Sequence, residues 1–193
     1  ERRAGMPKEA VLDLLRQEGT VLKRSRKFET RLVGPFVIKR SHGPLWRTIP
    51  RHLFSRARCR GGWEASLYLE EAGVPVAAAY AYAETYRAGL CTASALISAA
   101  LVDCCTVEEY AATMVRRNAD PAEATGYLLR VAETVNRLTE ARACHGDLSG
   151  KNILTQGGTQ FWFIDLDSVA IEQPANEEQR LENHVQLYDS FCD

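Results

Sequence analysis

Apolar and polar positions follow two regimes along this chain, and the change from one to the other marks its organisation. From Met6 to Glu18, apolar Val11, Leu12, Leu14 and Leu15 stand among charges, a spacing that predicts a short amphipathic helix or an edge element. From Phe28 the pattern turns strand-like: Thr30-Arg31-Leu32-Val33 and Phe36-Val37-Ile38-Lys39 flank Gly34-Pro35, which predicts a β-hairpin. His42 to Arg60 is basic and irregular, interrupted by Gly43-Pro44 and Pro50. Trp63 to Glu71 predicts a helix, closed by Gly73 where a left-handed residue is favoured and by Pro75 soon after. Val76 to Tyr86 and Ala95 to Val102 are expected as strands separated by Arg87-Ala88-Gly89, with their alanine content leaving helix as the alternative.

The strongest helix start is Asp120-Pro121-Ala122-Glu123, an N-cap Asp with Pro at the first helical position and an acid in the first turn. Leu128, Val131, Val135 and Leu138 then repeat on one face, with the helix expected to run through Ala143. A polar loop follows, and Ile153-Leu154 and Phe161-Trp162-Phe163-Ile164 flank Gly157-Gly158 as a second hairpin. The expected organisation is bilobal α+β: a β-rich lobe over residues 1–102 and a helical lobe over 103–193.

Composition narrows the class. At 193 residues and 46% apolar content the chain can bury a core, and 25% charged residues is ordinary for a soluble protein. Net charge is only −1, yet the segment from Lys23 to Arg60 carries a run of Lys and Arg against one acid, Glu29. Such a run is either a solvated basic face or a surface for phosphates and anionic headgroups. The six cysteines form no CxxC pair and no His/Cys ligand spacing, which argues against a structural zinc site or a disulfide framework and for reduced thiols. No segment resembles a signal peptide or is apolar enough to span a bilayer. The chain begins with Glu rather than Met, so a fragment is expected.

The candidate chemistry lies in Cys144-His145-Gly146-Asp147-Leu148-Ser149-Gly150-Lys151-Asn152 and in Ile164-Asp165-Leu166-Asp167. Asp147 and Asn152 share one loop, and Asp165 ends the second strand of the hairpin that follows, so pairing of the strands brings the three together. One carboxylate to orient a hydroxyl, with a carboxamide and a second carboxylate to hold magnesium on a nucleotide, is what phosphoryl transfer requires. Plainer roles are expected for the neighbours: His145 supporting the loop backbone, Asp167 anchoring its loop, Trp63 and Trp162 in the core, Cys104 and Cys105 as packing residues. Trp46, in a Pro/Arg-rich stretch, is either buried or exposed to a lipid or sugar.

The pattern H-G-D-x-x-x-x-N-I-L with a later I-D resembles the catalytic and metal-binding segments of the protein-kinase-like fold. Arg47 to Arg60 ahead of Trp63-Glu64, the phrase Ala72-Gly73-Val74-Pro75-Val76, and Ile164-Asp165-Leu166-Asp167-Ser168 are similar to the lipopolysaccharide kinases, the 3-deoxy-manno-octulosonate and heptose kinases of the inner core. That resemblance implies an antiparallel β N-lobe, a mainly helical, short C-lobe, and ATP and Mg2+ as cofactors. It implies Asp147 as the catalytic carboxylate and Lys151 as a contact to the transferred phosphate. It also implies Lys39 on the α/β-phosphates with Glu64 as its ion-pair partner (Glu70 or Glu71 as alternatives), and Asn152 and Asp165 as magnesium ligands. The implied acceptor is a sugar hydroxyl of an anionic inner-core glycolipid. The implied place is the cytoplasm, with peripheral association at the inner face of a bacterial inner membrane through Lys23–Arg60 and no nucleic-acid partner.

Departures from the kinase pattern carry expectations of their own. Gly146 replaces an Arg that answers activation-loop phosphorylation, so that form of switching is not expected. Neither the glycine of D-F-G nor A-P-E is present, and no glycine-rich phosphate loop precedes Val33, leaving Arg24, Arg26 or Lys27 to substitute. Only residues 166–193 follow Asp165, which implies truncation or a minimal C-lobe. The rival readings are a kinase of another small molecule or of protein Ser/Thr, and a nucleotide-binding pseudokinase.

Overall fold

A computed structural model describes residues 1–2, 6–25, 28–42, 58–87, 90–172 and 177–191; Trp46 and the expected irregular stretch at 43–57 lie outside them. The chain divides into two compact units, Glu1–Leu67 with Ala78–Ala100, and Tyr68–Ala77 with Leu101–Asp193.

The first unit is built on an antiparallel sheet of β1 (Thr20–Arg24), β2 (Phe28–Val33), β3 (Phe36–His42), β4 (Ala79–Arg87) and β5 (Leu90–Ala99), in the order β1-β2-β3-β5-β4. The Gly34-Pro35 turn joins β2 to β3 as expected, with Gly34 at φ 55°, a value a side chain resists. Strand alternation then sorts the faces. Ile38 pairs with Ile97, and both pack with Val33, Ala81 and Val11 of helix α1 (Lys8–Arg16), the helix expected from the first apolar run. Lys39 pairs with Leu96 on the opposite face, where Leu96 meets Cys59, Trp63, Ala79 and Tyr82. Cys59 and Trp63 belong to helix α2 (Arg58–Glu71). A register shift between Ala79 and Ala81 lets Tyr80 join the α1 side, edge-on to Phe36 at 5.3 Å.

Several boundaries differ from expectation, among them the start of β4, at Ala79 rather than Val76. Helix α2 begins at Arg58 rather than Trp63, because burial of Cys59 overrides the helix-weakening Gly61-Gly62. It closes as predicted, with Gly73 at φ 74° and Val74 N–H donating to the Leu69 carbonyl (2.8 Å). Strand β5 spans Leu90–Ala99, not Ala95–Val102: its ladder with β4 continues to Arg87↔Leu90, and its end is fixed where Ala100 N–H donates to the Pro35 carbonyl (2.8 Å).

The second unit carries helices α3 (Val107–Arg116), α4 (Pro121–Glu140) and α5 (Glu177–Asp189) around two small sheets. Asp120 caps α4 through Oδ1 to Ala122 N–H (2.7 Å), as its sequence predicts. The helix stops at Glu140 rather than Ala143, since Arg142 turns left-handed at φ 53°. Its buried face is Tyr127, Val131, Thr134, Val135 and Leu138; Leu128 is 49% exposed, and Tyr127 takes its place with its hydroxyl on the Val107 carbonyl (2.9 Å). Strands β6 (Cys105–Thr106), β8 (Ile153–Gln156) and β9 (Gln160–Phe163) form one sheet in the order β6-β8-β9, and β7 (Cys144–His145) pairs with β10 (Val169–Ala170). The β8–β9 turn is the expected one: Gly157 and Gly158 stand at φ 60° and 68°, and a Cβ on Gly158 would lie 2.6 Å from the Tyr110 ring. Tyr110 and Arg130 hold that turn by its carbonyl oxygens at 3.2 and 3.0 Å.

Candidate active site

The loop between β7 and β8 owes its shape to side chains acting on backbone. His145 is fully buried, and its Nε2 lies 3.1 Å from the Ile164 carbonyl while its Nδ1 lies 3.3 Å from the Asp147 amide nitrogen. The carbonyl only accepts and the amide only donates, so the ring is neutral with its proton on Nε2. Burial pushes its pKa below the usual imidazole range, against the pull of Asp165 and Asp147. One imidazole therefore ties the start of the Asp147 loop to the residue before Asp165, the supporting role expected for it.

Gly146 finds a reason here. Backbone pairing of β7 with β10 brings Ser168 so close that a Cβ on Gly146 would lie 2.9 Å from the Ser168 carbonyl oxygen. No side chain fits at this position, whatever its charge.

Asn152 closes a single 3-10 turn, Gly150–Asn152, and is 9% exposed. Its Nδ2 donates to the Asp147 carbonyl (2.8 Å) and to Asp147 Oδ2 (3.2 Å). The amide nitrogen is thus engaged by Asp147 twice, which fixes the amide's orientation and leaves Oδ1 as its acceptor end. Across the hairpin, Ile164 N–H donates to the Asn152 carbonyl (2.9 Å), so Asp165 follows the residue that pairs with Asn152. Asp165 is exposed and left-handed, φ 59° and ψ 49°, a conformation Asp tolerates better than most residues and that concentrates at functional sites.

The structure thus brings Asp147, Asn152 and Asp165 together around the hairpin. Lys151 on the same loop is exposed, with Nζ 3.7 Å from Glu108 Oε1 at the start of α3.

In the sheet unit, Lys39 Nζ stands 4.7 Å from the centroid of the Phe28 ring, and Cys59 Sγ lies 3.8 Å from the Lys39 carbonyl oxygen. Glu64 is on α2, which covers the Lys39 face of the sheet, and it accepts from Arg60 Nε one turn earlier (3.0 Å). Of the expected phosphate-binding substitutes, Arg24 turns to Glu29, and Arg26 and Lys27 lie outside the described residues. Glu29 also accepts from Arg31, and the two guanidiniums, Arg31 foremost, hold its carboxyl below the usual range. Arg40 bonds the Leu15 carbonyl. Part of the basic run is therefore engaged inside the unit.

The donor set suits a hard divalent cation that keeps other oxygens. Asn152 Oδ1 and the Asp165 carboxylate are hard oxygen donors. Among the described residues no group of three or more His, Cys, Asp or Glu side chains could hold a metal alone. A cation here needs further oxygens from a phosphate or from water, which is how magnesium sits in nucleotide sites.

Comparison with known proteins decides the lineage. The sequence matches the lipopolysaccharide kinase (Kdo/WaaP) family over residues 7–193. The chain belongs to that family. No curated protein matches it at a significant level. Among solved structures it is similar to WaaP in complex with acyl carrier protein, with a TM-score of 0.70, 22% identity, and coverage of 96% of this chain and 74% of that one. It is also similar to a crystal structure of WbdD (TM-score 0.58, 15% identity, 90% of this chain and 38% of that one). A second WbdD structure, described as a bifunctional kinase-methyltransferase, gives a TM-score of 0.55 at 15% identity and covers 85% of this chain and 34% of that one. At these identities the structures establish the fold, which is the α+β kinase-like fold expected from the motifs. No helix among the described residues is long and apolar enough to cross a membrane.

Two groups that shape the loop escaped the sequence reading, Gln186 and Ser190. Gln186 lies in α5 and Ser190 directly follows it; Leu181, Val185 and Tyr188 of that helix face outward, so apolar periodicity gives no sign of them.

Proposed function

We propose that this family member is an ATP- and magnesium-dependent kinase that phosphorylates a sugar hydroxyl of a lipopolysaccharide inner-core-type glycolipid. One observation carries the reading: Asn152 Nδ2 donates to both the carbonyl and the carboxylate of Asp147, so a single loop holds an exposed carboxylate beside an amide whose oxygen is its acceptor end. Asp147 accepts a hydrogen bond from the acceptor hydroxyl and orients its oxygen toward the γ-phosphate, taking the proton as the new O–P bond forms and the bond from the γ-phosphorus to the bridging oxygen of the departing ADP breaks. Asn152 Oδ1 and Asp165 are the groups that would hold magnesium, which when bound neutralises charge on the phosphates. Lys39 binds the α/β-phosphates, and Glu64, on the helix covering the same face, restrains its ammonium. Lys151 meets the transferred phosphoryl group. Positioning and charge neutralisation supply the acceleration.

The basic run Lys23–Arg60 in the sequence fits an anionic glycolipid held at a membrane surface and supports a peripheral position at the inner face of a bacterial inner membrane. The test is transfer of γ-labelled phosphate from ATP to detergent-dispersed inner-core glycolipid. Label in the glycolipid with the wild type and none with Asp147→Ala supports the proposal. Label in protein from a lysate, indifferent to added glycolipid, would replace the acceptor. ATP bound but never consumed would replace the enzyme with a nucleotide-binding scaffold.

A further inference from the structure

The loop that carries Asp147 is held from outside by one helix, and that helix holds it with its polar side. Gln186 Oε1 accepts from Leu148 N–H (3.0 Å), and Ser190 Oγ accepts from Gly150 N–H (2.9 Å). Ser190 is itself oriented, donating its hydroxyl proton to the Leu187 carbonyl (2.7 Å). A third residue of the same stripe, Asn183, donates to Cys144 Sγ (3.3 Å). Asn183 and Gln186 lie on α5, and Ser190 directly follows it with its N–H on the Gln186 carbonyl (3.3 Å), so α5 and its end run along the loop from β7 to the 3-10 turn, with buried Leu187 between them. The other face of α5 shows Leu181, Val185 and Tyr188 to solvent.

The remaining bonded loop amides have local partners: Asp147 N–H uses His145, and Asn152 N–H uses the Ser149 carbonyl (2.9 Å). The two held by Gln186 and Ser190 lie between them, on the residue immediately after Asp147 and on the one two before Asn152. Gly150 is pressed between the two supports, since a Cβ there would lie 3.0 Å from Ser190 Oγ and 3.2 Å from the Glu108 Cβ. A shift of α5 therefore moves the backbone on which both Asp147 and Asn152 stand.

We infer that Gln186 and Ser190 are positioning residues for phosphoryl transfer, a clasp that sets the Asp147–Asn152 loop without touching substrate. This rests on the kinase reading above. Misplacing a catalytic group by about 1 Å costs on the order of 100-fold in rate. Gln186→Leu and Ser190→Ala are each expected to lower kcat about tenfold, and the pair on the order of 100-fold, with KM for ATP within about twofold. Gln186→Glu keeps an oxygen that accepts from Leu148 N–H and should restore most of kcat. Leu181→Ala, on the outward face, should change nothing.

The experiment pairs kcat and KM, using ATP, magnesium and inner-core glycolipid, with amide hydrogen exchange at Leu148 and Gly150. The clasp predicts faster exchange at Leu148 in Gln186→Leu and at Gly150 in Ser190→Ala, together with the fall in kcat. Unchanged exchange overturns it, and so does faster exchange with kcat intact. A fall in kcat that Gln186→Glu fails to restore, in a protein melting well below the wild type, also overturns it in favour of a purely structural role. An inactive wild type counts against the kinase reading alone, because exchange at the two amides then decides the clasp by itself.

Discussion

The two units of this protein solve the same problem, holding charged groups in place, by opposite means. In the sheet unit, regular alternation does the work: Lys39 reaches its face because β3 pairs in register with β2 and β5, and Glu29, Arg24 and Arg31 meet as neighbours on β1 and β2. In the loop unit almost nothing is regular. Asp147, Asn152 and Asp165 stand on turns whose backbone groups are satisfied one by one, by His145, Asn152, Gln186 and Ser190. A ladder tolerates loss of one side chain because its backbone bonds remain, whereas a turn built on side-chain hydrogen bonds does not. Sensitivity to mutation should therefore be concentrated in the loop unit, and each prediction probes that contrast.

The largest effect belongs to Asp147. Asp147→Asn preserves volume and should lower phosphate transfer by about 10²- to 10⁴-fold, the range of a general base, with little change in melting temperature. His145→Leu comes next: it removes the partners of the Asp147 amide and the Ile164 carbonyl at a buried site, and should cost on the order of 1–3 kcal/mol in denaturant unfolding as well as activity.

The same imidazole predicts a pH dependence. Burial holds its pKa below the ordinary 6.5, so the folded protein refuses a proton that the unfolded chain accepts. Nothing is lost above that value. Below it stability falls, at most about 1.4 kcal/mol per pH unit, until the folded ring also protonates. Urea unfolding at pH 7.5 and pH 5.5, read as pH-dependent loss in the wild type minus that in His145→Gln, should give a positive difference; equal losses would contradict the assignment of a neutral ring.

Gly158→Ala places a methyl against the Tyr110 ring at a left-handed position and should destabilise by about 1–3 kcal/mol, read as a lower urea midpoint. The smallest effect is expected in the sheet unit. Glu29→Gln removes the charge that Arg24 and Arg31 share, yet the β1–β2 ladder survives, so melting should fall less than for His145→Leu or Gly158→Ala and the difference should shrink in high salt. A Glu29 effect larger than that of His145 would invert the comparison.

Much of the architecture was legible because it is written in backbone chemistry. Gly34-Pro35, Gly73, Asp120-Pro121 and Gly157-Gly158 each mark a turn or cap that the structure places where the residues demand it. Helix α3 was missed although Thr106 and Glu109 form a complete capping box at its start, a signal that was present in the sequence. Helix α5 was hidden for a different reason. Its apolar Leu181, Val185 and Tyr188 face outward, and its contacts to the loop come from Asn183, Gln186 and Ser190, the reverse of the pattern that apolar periodicity detects. Spacing alone suggested the grouping of Asp147, Asn152 and Asp165, since a hairpin fixes what meets across it. Some contacts that shape the loop are long-range, as between Leu148 and Gln186 and between Gly150 and Ser190, and local sequence does not carry those.

Titration calorimetry of ATP with and without magnesium, on the wild type beside Asn152→Leu and Asp165→Asn, decides whether the Asp147 loop and Asp165 form a magnesium-dependent phosphotransfer centre. Magnesium should tighten ATP binding to the wild type, and that gain should shrink or vanish in both variants. Equal affinity with and without magnesium in the wild type would contradict the account and describe a protein that binds nucleotide without preparing it for transfer.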